Sequence, residues 1–188
     1  MVEKLKAEYD VKVEWRPYAL RPDTPPEGME LPAYLRTRAA NANERLRQMA
    51  RAYGMEMVDL SRILNTRRAH EAAEYAGEHG KGEAFHRTVF RKVYGEGQDI
   101  SRWEVLRAAA EEVGLSADAL QSEVESGKYI SSVEEQIAEA HALGITGVPT
   151  YILNDRYAIV GAQPYDVFRQ VITRLMAEAE SDVQQERE

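Results

Sequence analysis

The pattern of apolar and polar positions predicts three strands in this chain. Residues 11–16 (VKVEWR) alternate strictly, which is typical of a strand with one buried face. Residues 150–153 and 157–160 are two further predicted strands, and the three residues between them suit a hairpin turn. Pro149 has no backbone donor, so it is expected at the entry of the first hairpin strand.

Apolar positions spaced by three and four residues predict helix through most of residues 32–143. An amphipathic stripe begins at Pro32, a natural first helical position, and ends at Gly54. Ser101 and Glu104 have the spacing of a capping box at the start of a later helix. Further helices are predicted around residues 67–76 and 85–93, before Gly127, and from Ser132 to Gly144.

The two ends of the chain are also predicted to be helical. Val2, Leu5 and Tyr9 share one stripe, but no capping residue precedes them, so this helix is expected to begin upstream of Met1. An amphipathic helix is predicted from Pro164, followed by a polar tail over residues 181–188 that is expected to fray.

Composition excludes several classes of function. The 188 residues carry 24 lysines and arginines against 32 aspartates and glutamates, a formal net charge of −8, which argues against nucleic acid as a partner. No apolar run approaches the roughly 20 residues that a membrane span needs. The chain has no cysteine, so these residues provide no disulfide, thiolate metal site or thiol nucleophile. Arginines between Arg36 and Arg68 are interpreted as a solvated helix face, with an anion-binding patch as the alternative.

Four separated blocks carry a resemblance to a known family. They are residues 15–22 (WRPYALRP) with 25–28 (PPEG), 65–70 (NTRRAH), 95–100 (GEGQDI), and 144–164. In this order they resemble the DsbA-like thioredoxin-fold oxidoreductases, most closely the FrnE-type branch.

The resemblance implies an α/β, thioredoxin-like fold with an inserted all-helical subdomain and with its first β-strand missing. Residues 1–30 are then a partial first half, 31–143 the helical insertion, 144–180 the second half, and 181–188 a tail. Members of the family carry a Cys-x-x-Cys motif at the start of the first helix. That motif would lie before Met1, and we expect either truncation or true loss.

The resemblance also implies a substrate-binding loop at Gly147, Val148, Pro149 and Thr150. The Val148–Pro149 bond is expected to be cis, and the Val148 backbone to pair with a substrate peptide or glutathione. The expected partners are therefore a peptide or protein thiol or disulfide, or glutathione, with no nucleic acid and no membrane. No catalytic residue, metal ligand or cofactor is assigned within the chain. The resemblance to that branch also implies a cytoplasmic location. Because the missing first strand would leave two strand edges unpaired, we expect the chain either to be poorly stable alone or to recruit a strand from a second copy in a homodimer.

Three functions remain open at this point. The leading hypothesis is a thiol–disulfide oxidoreductase whose redox segment is absent from the chain. Kappa-type glutathione transferases and 2-hydroxychromene-2-carboxylate isomerases are similar in architecture and use bound glutathione. A non-catalytic peptide-binding module would need only the proline loop and an apolar cleft.

Other chemistry-bearing residues are interpreted as structural. Glu83 and His86 form an E-x-x-H pair, but a di-metal helix bundle needs a second copy, so a solvated helix face is the better account. The isolated histidines are expected to be surface or half-buried side chains: His70, His79 and His141. Six aromatic residues are expected mostly in the core, with a minority facing an apolar cleft: Trp15, Tyr18, Phe85, Phe90, Tyr94 and Trp103.

Overall fold

The computed structural model describes residues 1–52 and 54–185, except the side chains of residues 33, 35–42 and 182–185. Within these residues the elements follow one another as α1 (Val2–Glu8), β1 (Met29–Glu30), α2 (Ala33–Ala52), β2 (Arg62–Ile63), α3 (Arg67–Glu78), α4 (Gly82–Phe90), α5 (Trp103–Glu112), α6 (Ala117–Glu125), α7 (Ile130–Ala142), β3 (Thr150–Leu153), β4 (Tyr157–Val160) and α8 (Tyr165–Gln185). A π-helical turn, Arg91–Gly95, directly follows α4. The fold is therefore mixed α/β and rich in helix.

The chain forms two compact units. The terminal unit comprises Met1–Leu20 and Glu139–Glu188, and the helical unit comprises Arg21–Ala138. Residues 21–30, which the sequence analysis grouped with residues 1–20, pack in the helical unit. Strand β1 pairs antiparallel with β2 there, and Asn65 Nδ2 donates to the Thr24 carbonyl at 2.6 Å.

The core of the helical unit lies among α3, α4, α5 and α6. Phe85, Leu106 and Leu120 are fully buried in it. Alanines occupy several of the inward positions of α3 and α5 and let the helices approach closely; the completely buried ones are Ala72, Ala76, Ala109 and Ala110. This packing, more than helix propensity, holds four short helices in place.

The core of the terminal unit is formed by the hairpin with α1 and α8. Its buried members are Leu5, Ile159, Phe168 and Ile172. The ring of Tyr151 meets Phe168 edge-on, with the centroids 4.8 Å apart. One face of the hairpin is therefore covered by helix.

The predicted hairpin is confirmed residue for residue. Tyr151 lies opposite Ile159, and Thr150 lies opposite Val160. Asn154 and Asp155 adopt φ angles of 48° and 54°, a left-handed conformation that short polar residues tolerate well in tight turns.

The predicted strand at residues 11–16 is wrong. This segment pairs with no other strand among the described residues, although Val11 and Val13 are half-buried and Lys12 and Glu14 are exposed. Alternation makes one face apolar, but a strand also needs a neighbouring backbone to complete its hydrogen bonds.

Several predicted helix limits also need correction. Helix α5 begins at Trp103 and not after Ser101, because the Ser101 amide and hydroxyl both donate to Asp99 Oδ1, at 3.0 and 2.6 Å. Helix α7 begins at Ile130, two residues before the predicted start. Helix α8 continues to Gln185, because residues 181–185 contain neither proline nor glycine. Tyr53, a predicted member of the α2 stripe, lies outside the described residues.

Candidate substrate-binding loop

The loop begins where a glycine ends α7. Gly144 has a φ of +73°, which a residue with a side chain adopts only at a cost, and its amide donates to the His141 carbonyl at 2.9 Å. The Ile145 amide donates to the Ala140 carbonyl at 3.0 Å. The chain is thereby turned out of the helix towards residues 147–150.

Hydrogen bonds anchor the loop on both sides of Val148. The Thr150 hydroxyl donates to the Gly147 carbonyl at 2.8 Å. The Gly161 amide, just after β4, donates to the Pro149 carbonyl at 2.8 Å. The Val148–Pro149 peptide bond is cis. The four residues predicted as a binding loop are thus brought together as one anchored turn.

Val148 itself is exposed and has backbone groups without partners. Its accessible fraction is 49%. Neither its amide nor its carbonyl makes a hydrogen bond within the described part of the chain. Strand β3, which follows at once, pairs only with β4 among the described strands, so its second edge is unpaired there. Unpaired backbone groups are therefore present both at Val148 and along this edge of β3.

Tyr18 supports the loop from the N-terminal segment. Its hydroxyl donates to the Ile145 carbonyl at 3.1 Å, and its ring lies edge-on to His141 with centroids 5.6 Å apart. Sequence reasoning placed Tyr18 among possible cleft aromatics and missed this role. The sequence offered one indication of this role, which is that Tyr18 lies in residues 15–22, a block of the family resemblance.

The loop offers unpaired backbone groups but has no reactive group of its own. The chain contains no thiol, and the Thr150 hydroxyl is occupied by its bond to Gly147. Backbone N–H and C=O groups bind an extended peptide without forming a covalent bond.

The E-x-x-H pair is engaged in other contacts. Glu83 lies 3.5 Å from Arg87, and the His86 ring stacks on Phe90 with centroids 4.4 Å apart. Burial lowers the pKa of His86. No group of three or more acidic or histidine side chains is placed to hold a metal ion in the described residues.

The other histidines differ in their surroundings. His70 Nε2 is enclosed and has no hydrogen-bond partner among the described residues. Burial, and then the neighbouring charge of His86, lowers the pKa of His70 to about 4. His79 Nδ1 lies 2.8 Å from the Tyr75 carbonyl, and His141 is exposed beside Tyr18.

The aromatic residues divide between core and surface. Phe85 is completely buried, and Trp103 is half-buried against the core of the helical unit. Trp15, Phe90 and Tyr94 are exposed at 45%, 50% and 41%, so the expectation that most of the six lie in the core is wrong. Of the helices that the structure describes, none is both long and apolar enough to cross a membrane.

Comparison with known proteins identifies the family. The DSBA-like thioredoxin domain matches residues 1–173, nearly the whole chain. The chain belongs to this family. This DSBA-like thioredoxin domain is also 32% identical over 167 residues to the uncharacterized protein YwbO of Bacillus subtilis (strain 168), across 87% of the chain and 82% of that protein.

Two further similarities connect the DSBA-like domain with named enzymes. The structure of a probable DsbA oxidoreductase from Streptomyces coelicolor matches with a TM-score of 0.84 and 26% identity, over 94% of this chain and 82% of that one. A 2-hydroxychromene-2-carboxylate isomerase of Sphingobium xenophagum is 33% identical over 85 residues, 45% of this chain and 44% of the isomerase.

A solved structure of a 2-hydroxychromene-2-carboxylate isomerase has a TM-score of 0.78 at 22% identity, over 96% of this chain and 89% of that one. At this identity the likeness shows the fold alone. The thioredoxin-like α/β fold expected from the sequence is thereby confirmed.

Proposed function

We propose that this chain binds an extended thiol- or disulfide-bearing peptide, glutathione included, along residues 147–150, as part of a DsbA-type thiol–disulfide oxidoreductase. Its own contribution is to hold the substrate backbone. The observation that carries the proposal is Val148, which is exposed between two anchored neighbours and has an unpaired amide and carbonyl within the described residues.

The geometry favours binding through the backbone. The bonds to the Gly147 and Pro149 carbonyls hold the turn in place before any ligand arrives, which reduces the entropy lost on binding. A peptide that pairs with Val148 can continue along the unpaired edge of β3. Main-chain hydrogen bonds then provide affinity that depends little on the peptide's side chains.

The redox step needs groups that the 188 residues do not contain. In thiol–disulfide exchange a thiolate attacks one sulfur of a disulfide, forms a mixed disulfide and releases the other sulfur as a thiolate. A second cysteine then resolves the mixed disulfide. With no cysteine in the sequence, this chain supplies neither thiol, and we assign it substrate docking only.

A glutathione-dependent isomerase is the second candidate. The observation that favours it is the 85-residue similarity to the isomerase of Sphingobium xenophagum. The same backbone groups at Val148 would then hold the glutathione cysteine residue. A peptide-binding module without catalysis requires the same loop and no further chemistry.

Binding to the loop can be tested directly by NMR. S-methylglutathione and a capped, uncharged tripeptide with S-methylcysteine at its centre are titrated into ¹⁵N-labelled protein. We expect both probes to shift the amide signals of Val148 and Thr150, because backbone pairing requires neither a free thiol nor a charge. Shifts confined to other regions, or none at millimolar probe, would refute the proposal.

Substitutions at Val148 separate backbone docking from side-chain effects. Val148→Thr keeps the shape of the side chain, so the variant should bind both probes with an affinity within about twofold of the parent's. Val148→Asp should weaken only the anionic S-methylglutathione, by about fivefold, since like charges near 4 Å in water repel by about 1 kcal/mol. Met176→Asp places the same charge on an equally exposed position of α8 and should change neither affinity.

The nucleotide sequence upstream of the Met1 codon distinguishes the three functions. A Cys-x-x-Cys codon pattern supports the oxidoreductase, a serine-containing equivalent supports the glutathione enzyme, and an in-frame stop supports the binding module. The FrnE-type branch, the cytoplasmic location and the homodimer stay predictions. Cell fractionation tests the location, and sedimentation equilibrium tests the dimer.

A further inference from the structure

A groove of about 1090 Å³ lies on the helical unit and is lined by residues of that unit alone. Four separate segments of the chain line it, and three of them overlap blocks of the family resemblance. The lining residues are Pro26, Glu27, Arg62, Arg68, Gln98, Asp99, Ser101, Arg102, Trp103, Glu104 and Val105. Its volume is slightly above the usual range of ligand sites, about 300–1,000 Å³.

Two of the three arginines in this groove already have acidic partners. Arg62 Nη1 donates to Glu30 Oε1 at 2.8 Å, and its Nη2 donates to the Glu27 carbonyl at 2.9 Å. Arg102 Nε lies 3.9 Å from Asp99 Oδ2. Their positive charges are at least partly compensated within the protein.

Arg68 is different, because no carboxylate of the described residues compensates its charge. Its Nη1 donates to the Ser101 carbonyl, and its guanidinium lies 4.7 Å from the centroid of the Trp103 ring. Neither partner is charged, and a guanidinium has five N–H donors. By contrast, the adjacent Arg67 is paired with both Glu71 and Glu134. Arg68 therefore keeps a fixed, half-buried positive charge with donors to spare.

The start of α5 adds to the positive character beside Arg68. Arg102 provides no side-chain cap, and the amides of Trp103, Glu104 and Val105 make no hydrogen bond in the described part of the chain. Unpaired amides at a helix start favour a nearby negative charge.

We propose that this groove binds a small organic acid with one carboxylate and a flat apolar body. The carboxylate pairs with the Arg68 guanidinium, and the body lies against the apolar surfaces of Pro26, Trp103 and Val105. A planar guanidinium held on an aromatic ring is well suited to a bidentate carboxylate. This inference does not depend on the function proposed for residues 147–150.

The acidic residues of the groove restrict the ligand to a single negative charge. Glu27 and Glu104 have no cationic partner among the described residues, whereas Asp99 is paired with Arg102 and accepts hydrogen bonds from Ser101. The two uncompensated carboxylates disfavour a ligand with several negative charges, such as a polyphosphate or a nucleic acid. The proposed ligand is therefore a monoacid.

Tryptophan fluorescence provides the test. Trp15 and Trp103 are the two tryptophans of the chain, so a Trp15→Phe variant leaves Trp103 as the reporter. The probe is 3-phenylpropanoate. Two compounds serve as controls: acetate has the carboxylate without the apolar body, and 3-phenylpropanol has the apolar body without the charge. We expect saturable change in Trp103 emission with 3-phenylpropanoate at the lowest concentration of the three.

Variants of Arg68 decide whether its charge is responsible. Arg68→Gln should weaken 3-phenylpropanoate by about 10- to 150-fold, as expected for a lost hydrogen bond to a charged group, and should leave 3-phenylpropanol unchanged. The Arg68→Lys variant keeps the positive charge but loses the planar guanidinium. Its affinity for 3-phenylpropanoate should therefore lie between those of the parent and the Arg68→Gln variant. Arg45→Gln removes an exposed arginine of α2 outside the groove and should have no effect.

Circular dichroism would show whether the Arg68→Gln variant folds. If it does not, probe binding to the unsubstituted protein still tests the proposal. Equal affinity for 3-phenylpropanoate and 3-phenylpropanol would overturn the proposal, because it would remove any role for a positive charge. An absence of saturation with 3-phenylpropanoate at millimolar concentration would overturn it as well.

Discussion

Replacement of His70 by glutamine should make the helical unit less sensitive to acid. His70 lies on α3 with its Nε2 enclosed and without a hydrogen-bond partner in the described part of the chain, and it interacts electrostatically with His86 of α4 and Glu74 of its own helix. Protonation would place a charge in this enclosed site near a second histidine. Glutamine cannot titrate, so the His70→Gln variant removes that cost.

The magnitude follows from the pKa. Burial, with a smaller effect of His86 and an opposing effect of Glu74, lowers the pKa of His70 from 6.5 to about 4. Because the folded-state pKa is lower, the unfolded chain binds more protons in acid. The contribution of His70 to the free energy of unfolding is therefore at its maximum above pH 6.5, and it is lost as the pH falls towards 4. The full loss is about 3 kcal/mol, of which about 2 kcal/mol is lost by pH 5.

The assay is urea unfolding at pH 7.5 and pH 5.0 in the Trp15→Phe background. Trp103 packs beside the core of the helical unit and reports on that unit. Between the two pH values, the free energy of unfolding should fall by about 2 kcal/mol more in the parent than in the His70→Gln variant. The carboxylates with lowered pKa values titrate mainly below this window: Glu44, Glu78, Glu112, Glu123 and Glu178.

His141→Gln is the matched control, because it makes the same change at an exposed histidine of the terminal unit. It should leave the pH dependence at Trp103 unchanged. Equal pH dependence in the His70→Gln variant and its parent would refute the reasoning, since the burial of His70 would then have no energetic effect.

Two further predictions concern stability measured by chemical denaturation. Gly28→Ala would place a Cβ 2.6 Å from the Ile63 carbonyl oxygen, whereas Gly80 has a similar φ and open space around it. Gly28→Ala should therefore lower the free energy of unfolding by about 1–3 kcal/mol more than Gly80→Ala does. Equal losses in the two variants would contradict the steric argument. Phe168→Ala should cost the terminal unit about 3–5 kcal/mol because the ring is buried, whereas Met176→Ala on the exposed face should change stability by less than about 0.5 kcal/mol. A small loss for Phe168→Ala would show that the hairpin does not depend on this core.

Local sequence patterns were sufficient where the partners are near neighbours. The hairpin follows from two short apolar runs with turn-forming residues between them, and its strands pair across three residues. Most helices follow from apolar spacing together with glycines at their ends. The prediction of a binding loop at residues 147–150 came from the family resemblance, and the hydrogen bonds around Val148 required the structure.

Only the tertiary structure decided the contacts between residues far apart in the chain. Strand pairing between Met29–Glu30 and Arg62–Ile63, the bond from Tyr18 to the Ile145 carbonyl, and the contact of Arg68 with Trp103 each join separate segments. The alternation at residues 11–16 predicted a strand for which the described chain provides no partner. The physical reason is that periodicity specifies which side of a segment is buried, whereas pairing and charge compensation depend on what packing brings to that side.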